Sequence, residues 1–164
     1  PGGGLCTGHP SGALQLWTLD GKVGATLEGH TQPVCALATG PRGELVSGSL
    51  DRTVKVWVDN SCVLTCTGHR GAILAVAVSP VDGIVASGSA SKMAKVWSGA
   101  TGECLATLEG HDDWVSGVCV QSDGVVVTGS IDETVRVWAR GSWTCTTTHR
   151  LPSFVHSVAS IRGG

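Results

Sequence analysis

The sequence predicts an all-β fold assembled from repeated four-stranded antiparallel units. Three observations predict it. Four tryptophans, Trp17, Trp57, Trp97 and Trp138, stand 40, 40 and 41 residues apart. Each closes a copy of one phrase, clearest at 45–57 and 127–138, weaker at 85–97 and degraded at 5–17. Between tryptophans run short Val- and Thr-rich segments punctuated by Gly, Pro, Asp and Asn, which is strand and turn chemistry. A period near forty residues means a repeat array, in which each unit buries a face against its neighbour. Helical spacing of apolar residues is sustained nowhere.

The elements follow in order. The chain enters in the middle of a unit, with three strands near 4–8, 13–18 and 23–28. The second unit places strands at 34–38, 44–48, 53–58 and 62–67, separated by turns at 40–43, 50–52 and 59–61. The third places them at 73–78, 84–88, 93–97 and 103–107, and the fourth at 115–120, 125–129, 134–138 and 144–147. Strands this short with turns at this spacing form antiparallel meanders. A last strand, 155–160, has the pattern of a first strand, since Val155 and Val158 match Val34 and Leu37.

Composition bounds the function. A net charge of −2 with scattered charges gives no electrostatic footprint for nucleic acid or an anionic membrane surface. No apolar run approaches the roughly 20 residues of a membrane-crossing helix. The Pro1-Gly2-Gly3-Gly4 start has no signal-peptide character and reads as a cut or processed boundary. Seven cysteines, an odd number without a C-x-x-C pair, argue against a secreted disulfide scaffold. They are expected as buried, reduced thiols in a cytoplasmic or nuclear protein. Cys62 and Cys66 do not make a metal site, because four residues along a strand separate them by roughly 13 Å. No metal and no cofactor is expected.

The pairs Gly29-His30, Gly68-His69 and Gly110-His111 precede their tryptophans by 27 or 28 residues. With the terminal tryptophans they frame three units in register, and essentially the whole chain resembles the WD40 repeat family. The family's usual Asp after the tryptophan is replaced by Thr18, Val58, Ser98 and Ala139. The resemblance implies a β-propeller region over 1–164, with blades at 29–67, 68–108 and 110–148 and an opening blade made of 4–28 completed by 154–160. Four blades are few for such a ring. The chain is thus a segment of a larger propeller, half of a ring shared by two copies, or a small closed ring.

His, Ser and Asp recur within the repeats and imitate a catalytic triad. A triad occurs once per site, not once per blade. The resemblance instead implies a structural chain in each blade: His30, Ser47, Asp51 and Trp57 in the second, and His111, Thr128, Asp132 and Trp138 in the fourth. The third has His69, Ser87 and Trp97, but Ser91 replaces the carboxylate. In the opening blade Thr7, Ser11 and Trp17 occupy the places, and His149 is the candidate histidine. Blade rigidity is expected to fall from the second and fourth through the third to the opening one. His9 and His156 read as ordinary surface or strand residues.

With no phosphate loop, H-E-x-x-H or G-x-S-x-G motif present, function falls to the surface. The innermost strands supply small apolar residues and no carboxylate, which disfavours a propeller enzyme. By the resemblance, protein or peptide partners dock on the narrow top face, through Gln32, Pro33, Arg70, Ala72, Asp113 and Trp114 with the turn residues Leu50, Ala90 and Ile131. Trp114 stands out because no frame position requires it, and Leu50 and Ile131 are expected as exposed apolar tips. Trp143 is expected to pack on its own blade from the outermost strand. The short loops after Trp57 and Trp138 and the run 149–152 resemble, over few residues, the propellers of the phospholipase A2-activating protein family. That implies a narrower alternative, a ubiquitin-pathway adaptor that binds ubiquitin or a substrate.

Overall fold

The structure, a computed structural model, describes residues 4–160. Pro1-Gly2-Gly3, read above as part of a processed boundary, lies outside them. The described residues form fifteen strands and no helix. The opening sheet holds β1 (Gly4–Gly8), β2 (Leu14–Thr18) and β3 (Val23–Leu27). The second holds β4 (Val34–Thr39), β5 (Leu45–Ser49), β6 (Val54–Val58) and β7 (Ser61–Cys66). The third holds β8 (Ile73–Val78), β9 (Val85–Ser89), β10 (Ala94–Trp97) and β11 (Cys104–Leu108). The fourth holds β12 (Val115–Val120), β13 (Val126–Ser130), β14 (Thr134–Trp138) and β15 (Cys145–Arg150). Each sheet is an antiparallel meander in chain order. The strands lie within a few residues of their expected bounds because each ends where a Gly, Pro, Asp or Asn turn must begin.

Three apolar cores lie between consecutive sheets, not within any one of them. Leu14 and Leu27 of the opening blade meet Val34, Leu37 and Trp57 of the second. Val46, Val54 and Val56 meet Ile73, Val85 and Trp97 of the third. Val96 and Leu108 meet Val115, Val118, Val126 and Trp138 of the fourth. Each frame tryptophan therefore packs back onto the preceding blade. Trp17 meets no preceding blade among the described residues and is only half-buried, whereas Trp57, Trp97 and Trp138 are buried.

The spacing between blades is set at one glycine per blade. At Gly48 an added methyl carbon would stand 2.5 Å from Ile73 Cγ2 of the next blade. Gly88 meets Val115 and Val118 in the same way, and Gly129 meets Val155 and Val158. Any side chain there would push the sheets apart and open the apolar contact that holds them.

The same glycine corrects one expectation. Residues 155–160 do not complete the opening blade, whose sheet has three strands. They lie on the fourth blade, where the first strand of a following blade would lie. The Val155 amide donates to Ser130 O at 3.0 Å, and Ser116 Oγ bonds the Val155 carbonyl. Matching a first strand in pattern places Val155 and Val158 over Gly129, but without a second strand beside them they form no ladder. Among the described residues four sheets thus follow one another in an arc, and the first has three strands, without an innermost one.

Candidate functional site: the loop face and its buried histidine networks

Each loop before an innermost strand is tied to the turn that follows the second strand. The Leu50 amide donates to Pro33 O at 2.9 Å, Ala90 to Ala72 O at 2.9 Å and Ile131 to Trp114 O at 3.0 Å. In the turns, Arg52, Lys92 and Glu133 adopt positive φ of 67–70°. That reversal aims the preceding residue, Asp51, Ser91 or Asp132, back toward its blade.

Below this face lie the networks. The Trp57 indole N–H donates to Ser47 Oγ at 2.8 Å, and Ser47 Oγ stands 2.8 Å from His30 Nε2. His30 Nδ1 stands 2.8 Å from Asp51 Oδ2. The Thr31 amide and the Thr53 amide and hydroxyl also donate to the Asp51 carboxylate. The fourth blade repeats this with Trp138, Thr128, His111 and Asp132 at 2.8–2.9 Å, with amides of Asp112 and Thr134 on the carboxylate. Proton roles follow from the chain. An indole can only donate, so the hydroxyl donates onward to Nε2 and the histidine proton sits on Nδ1, facing the carboxylate.

Electrostatics agree with a neutral imidazole. Burial pushes the pKa of His30 and His111 down, against the pull of their carboxylates. Burial pushes Asp51 and Asp132 up, yet the donated hydrogen bonds outweigh it and hold both below the usual carboxylate range. Ser47, Ser87 and Thr128 are fully buried, so no substrate reaches these hydroxyls. The arrangement cross-links strands of the blade through side-chain hydrogen bonds.

In the third blade Trp97 and His69 bond Ser87 at 2.8 Å each, but His69 Nδ1 is buried without a partner. In the opening blade Trp17 donates to Thr7 Oγ1 at 2.9 Å. The histidine on Thr7 is His9, whose Nε2 lies 3.1 Å away. His149 belongs to β15 and is exposed. The opening blade recruits a histidine two residues along the chain because its sheet has no innermost strand, and so no loop before that strand to deliver one.

The residues expected on the top face are gathered as loop–turn pairs, blade by blade. Gln32, Arg70 and Trp114 are exposed; Pro33, Ala72, Ala90 and Asp113 are half-buried. Leu50 and Ile131 are half-buried too, not exposed tips, since their backbones are drawn onto the facing loop. Trp114 keeps 51% of its surface exposed while its amide donates to Asp113 Oδ1 at 2.7 Å and its carbonyl accepts from Ile131. An exposed indole thus sits on a fixed backbone.

Other expectations need correction. Trp143 lies in the turn before β15 at positive φ and is half-buried against the third–fourth core. Only Cys66 and Cys119 are buried, whereas Cys35, Cys62, Cys104 and Cys145 are exposed. The last three lie opposite Trp57, Trp97 and Trp138 on the outermost strands, where the outward face meets solvent. All seven thiols are free, and no group of metal-ligating side chains gathers among the described residues. Among the described residues no helix is long and apolar enough to cross a membrane.

Sequence reasoning also missed a cleft of about 550 Å³ on the opposite face, between the second and third blades, lined by Arg42, Glu44, Val58, Val63 and Leu64 among others. The exposed valines in β6 and β7 were the only signal for it.

Sheets stacked face to face, each pinned by an indole–hydroxyl–imidazole chain, define a β-propeller repeat protein. The WD domain, G-beta repeat, matches residues 21–58, 60–98 and 102–139. The chain belongs to the WD40 repeat family, whose repeats serve as protein-interaction scaffolds. Phospholipase A-2-activating protein of Xenopus laevis is 40% identical over 85 residues, covering 51% of this chain and 11% of that protein. Nuclear distribution protein nudF 1 of Talaromyces marneffei is 30% identical over 122 residues, covering 70% and 27%. A ribosome biogenesis protein WDR12 homolog of Drosophila mojavensis is 33% identical over 140 residues, covering 70% and 33%. The chain therefore spans a third or less of the length of these relatives.

Proposed function

We propose that this chain is a non-catalytic scaffold that binds a protein or peptide partner on the loop face around Trp114. The observation that carries this reading is the half-exposed indole on a doubly tethered backbone. Large apolar area offered at low entropic cost is what an interface anchor needs, and tryptophan and arginine dominate such anchors. Asp113 beside it, and Arg70, Gln32, Pro33, Ala72, Leu50, Ala90 and Ile131 on the other loop–turn pairs, supply a mixed polar and apolar rim.

Partner recovery from a lysate, compared between wild type and Trp114→Ala, tests the proposal. Loss of most of the recovered partner is expected, since truncation of an anchor costs about 2 kcal/mol or more. Thermal stability should stay near wild type because the indole is outside the core. Undiminished recovery would overturn the reading.

The likeness to phospholipase A-2-activating protein supports a second, narrower reading as a ubiquitin-pathway adaptor. Binding of ubiquitin by the wild-type chain, lost in Trp114→Ala, is the outcome it requires.

A further inference from the structure

Three N–H groups converge on the carboxylate in the second blade, from His30 Nδ1, the Thr31 amide and the Thr53 amide. In the fourth blade His111, Asp112 and Thr134 supply the same three. The third blade keeps the donors and lacks the acceptor. Their counterparts are His69 Nδ1, the Arg70 amide and the Met93 amide. None of the three has an acceptor among the described residues.

The place left by the missing carboxylate is open. A pocket of about 220 Å³ lies over it, lined by His69, Arg70, Ser91, Met93, Lys95 and Glu109 among others. Ser91 does not fill it, because its hydroxyl turns to Ser89 Oγ at 3.0 Å. His69 is 7% exposed, and its Nδ1 is buried without a hydrogen-bond partner. Its Nε2 accepts from Ser87, which in turn accepts the Trp97 indole N–H, so the proton sits on Nδ1 and points at the vacant place.

Charge favours an anion there. Two cations, Arg70 and Lys95, and one carboxylate, Glu109, line this pocket. The corresponding surface of the fourth blade carries four carboxylates, Asp112, Asp113, Asp132 and Glu133, against Arg136 and Arg150. A buried donor without an acceptor costs about 1–3 kcal/mol, which an arriving acceptor recovers. Burial also pushes His69 down to about 4, so the imidazole enters the site neutral, as a donor.

We infer that the third blade is a carboxylate-binding site, in which a carboxylate from outside this chain takes the place that Asp51 and Asp132 hold in their blades. The two oxygens are received by His69 Nδ1–H and the Arg70 amide on one side and the Met93 amide on the other, with Arg70 and Lys95 neutralising the charge. The site shares Arg70 with the loop face but not Trp114, and it does not rest on the reading of Trp114 as an anchor.

Side-chain and backbone NMR at pH 7 tests this, with sodium acetate titrated into the chain against sodium chloride at constant ionic strength. Saturable shifts are expected at His69 Nδ1 and at the Arg70 and Met93 amides. Thr31, Thr53, Asp112 and Thr134 should not respond. Ser91→Asp, which installs the internal carboxylate, should abolish the response and raise thermal stability, whereas Trp114→Ala should leave the response intact. A capped Gly-Glu-Gly peptide distinguishes the sources. A midpoint at least tenfold lower than acetate's assigns the site to a partner's acidic side chain, and an equal midpoint assigns it to a free small carboxylate. Absence of saturation at the three donors, or an undiminished response in Ser91→Asp, overturns the proposal. So does a response seen only in Glu109→Gln, which would make Glu109 the resident acceptor.

Discussion

His30, His69 and His111 occupy equivalent places and differ in one respect: two face a carboxylate and one does not. The pH dependence of folding should expose the difference. His69 has a folded pKa of about 4 against 6.5 when unfolded, so the unfolded chain takes up this proton first. Its contribution to stability is complete above about pH 6.5, declines as pH falls toward 4, and is flat below that. Thermal melts in carboxylate-free buffer should show this decline, and His69→Gln should reduce it, leaving the part that His30 and His111 contribute through their own lowered pKa values. Asp51 and Asp132, with pKa values held low in the folded state, lose their contribution only below the ordinary carboxylate range. The cysteines give a second residue-scale test. Burial raises Cys66 to about 11 and covers its sulfur, whereas Cys35, Cys62, Cys104 and Cys145 lie in solvent. Alkylation followed by mass mapping should modify those four quickly, with Cys66 and Cys119 modified only on unfolding. The sequence shows that these cysteines lie on strands; it does not show that the outward face of the fourth strand, which carries Cys62, Cys104 and Cys145, meets solvent.

At the scale of the element, the second strands tell the story. β5 and β9 are buried along almost their full length, whereas β1, the same phrase in the opening blade, is exposed at four of five positions. The phrase at 5–17 is degraded and its network is exposed, and among the described residues the opening blade has three strands and a neighbour on one face alone. Network completeness alone orders the blades second and fourth, then third, then opening. Packing modifies this, because the third blade is flanked on both faces. Amide exchange follows local unfolding, which reads buried contact as well as hydrogen bonds. We therefore expect β1 and β2 to exchange first and β5 and β9 last. Slower exchange in β1 than in β9 would refute this.

At the scale of the whole molecule, β1 is an edge strand among the described residues, with Leu5 60% exposed. An edge of this kind is a template for pairing with another chain. The three arrangements considered from the sequence, a larger propeller, a ring shared by two copies and a small closed ring, differ in what meets that edge. In the structure 155–160 lies on the fourth blade and does not reach it as a strand. We expect sedimentation to show mass above the monomer rising with concentration, and Leu5→Lys to suppress it. A strictly monomeric chain at all concentrations would refute a ring shared by two copies.

What the sequence determined by itself is everything carried by local pattern. The period, strand positions, tight turns and frame tryptophans were legible because each unit repeats the same local chemistry. So was the missing carboxylate at Ser91, visible as one departure from an otherwise regular phrase. Tertiary structure alone decided what depends on neighbours. It placed 155–160 on the fourth blade, put His9 instead of His149 on Thr7, half-buried Leu50 and Ile131, and left four cysteines in solvent. A repeat specifies how each blade meets the next, and the pattern holds no information about the first and last described sheets, where only one such contact is made.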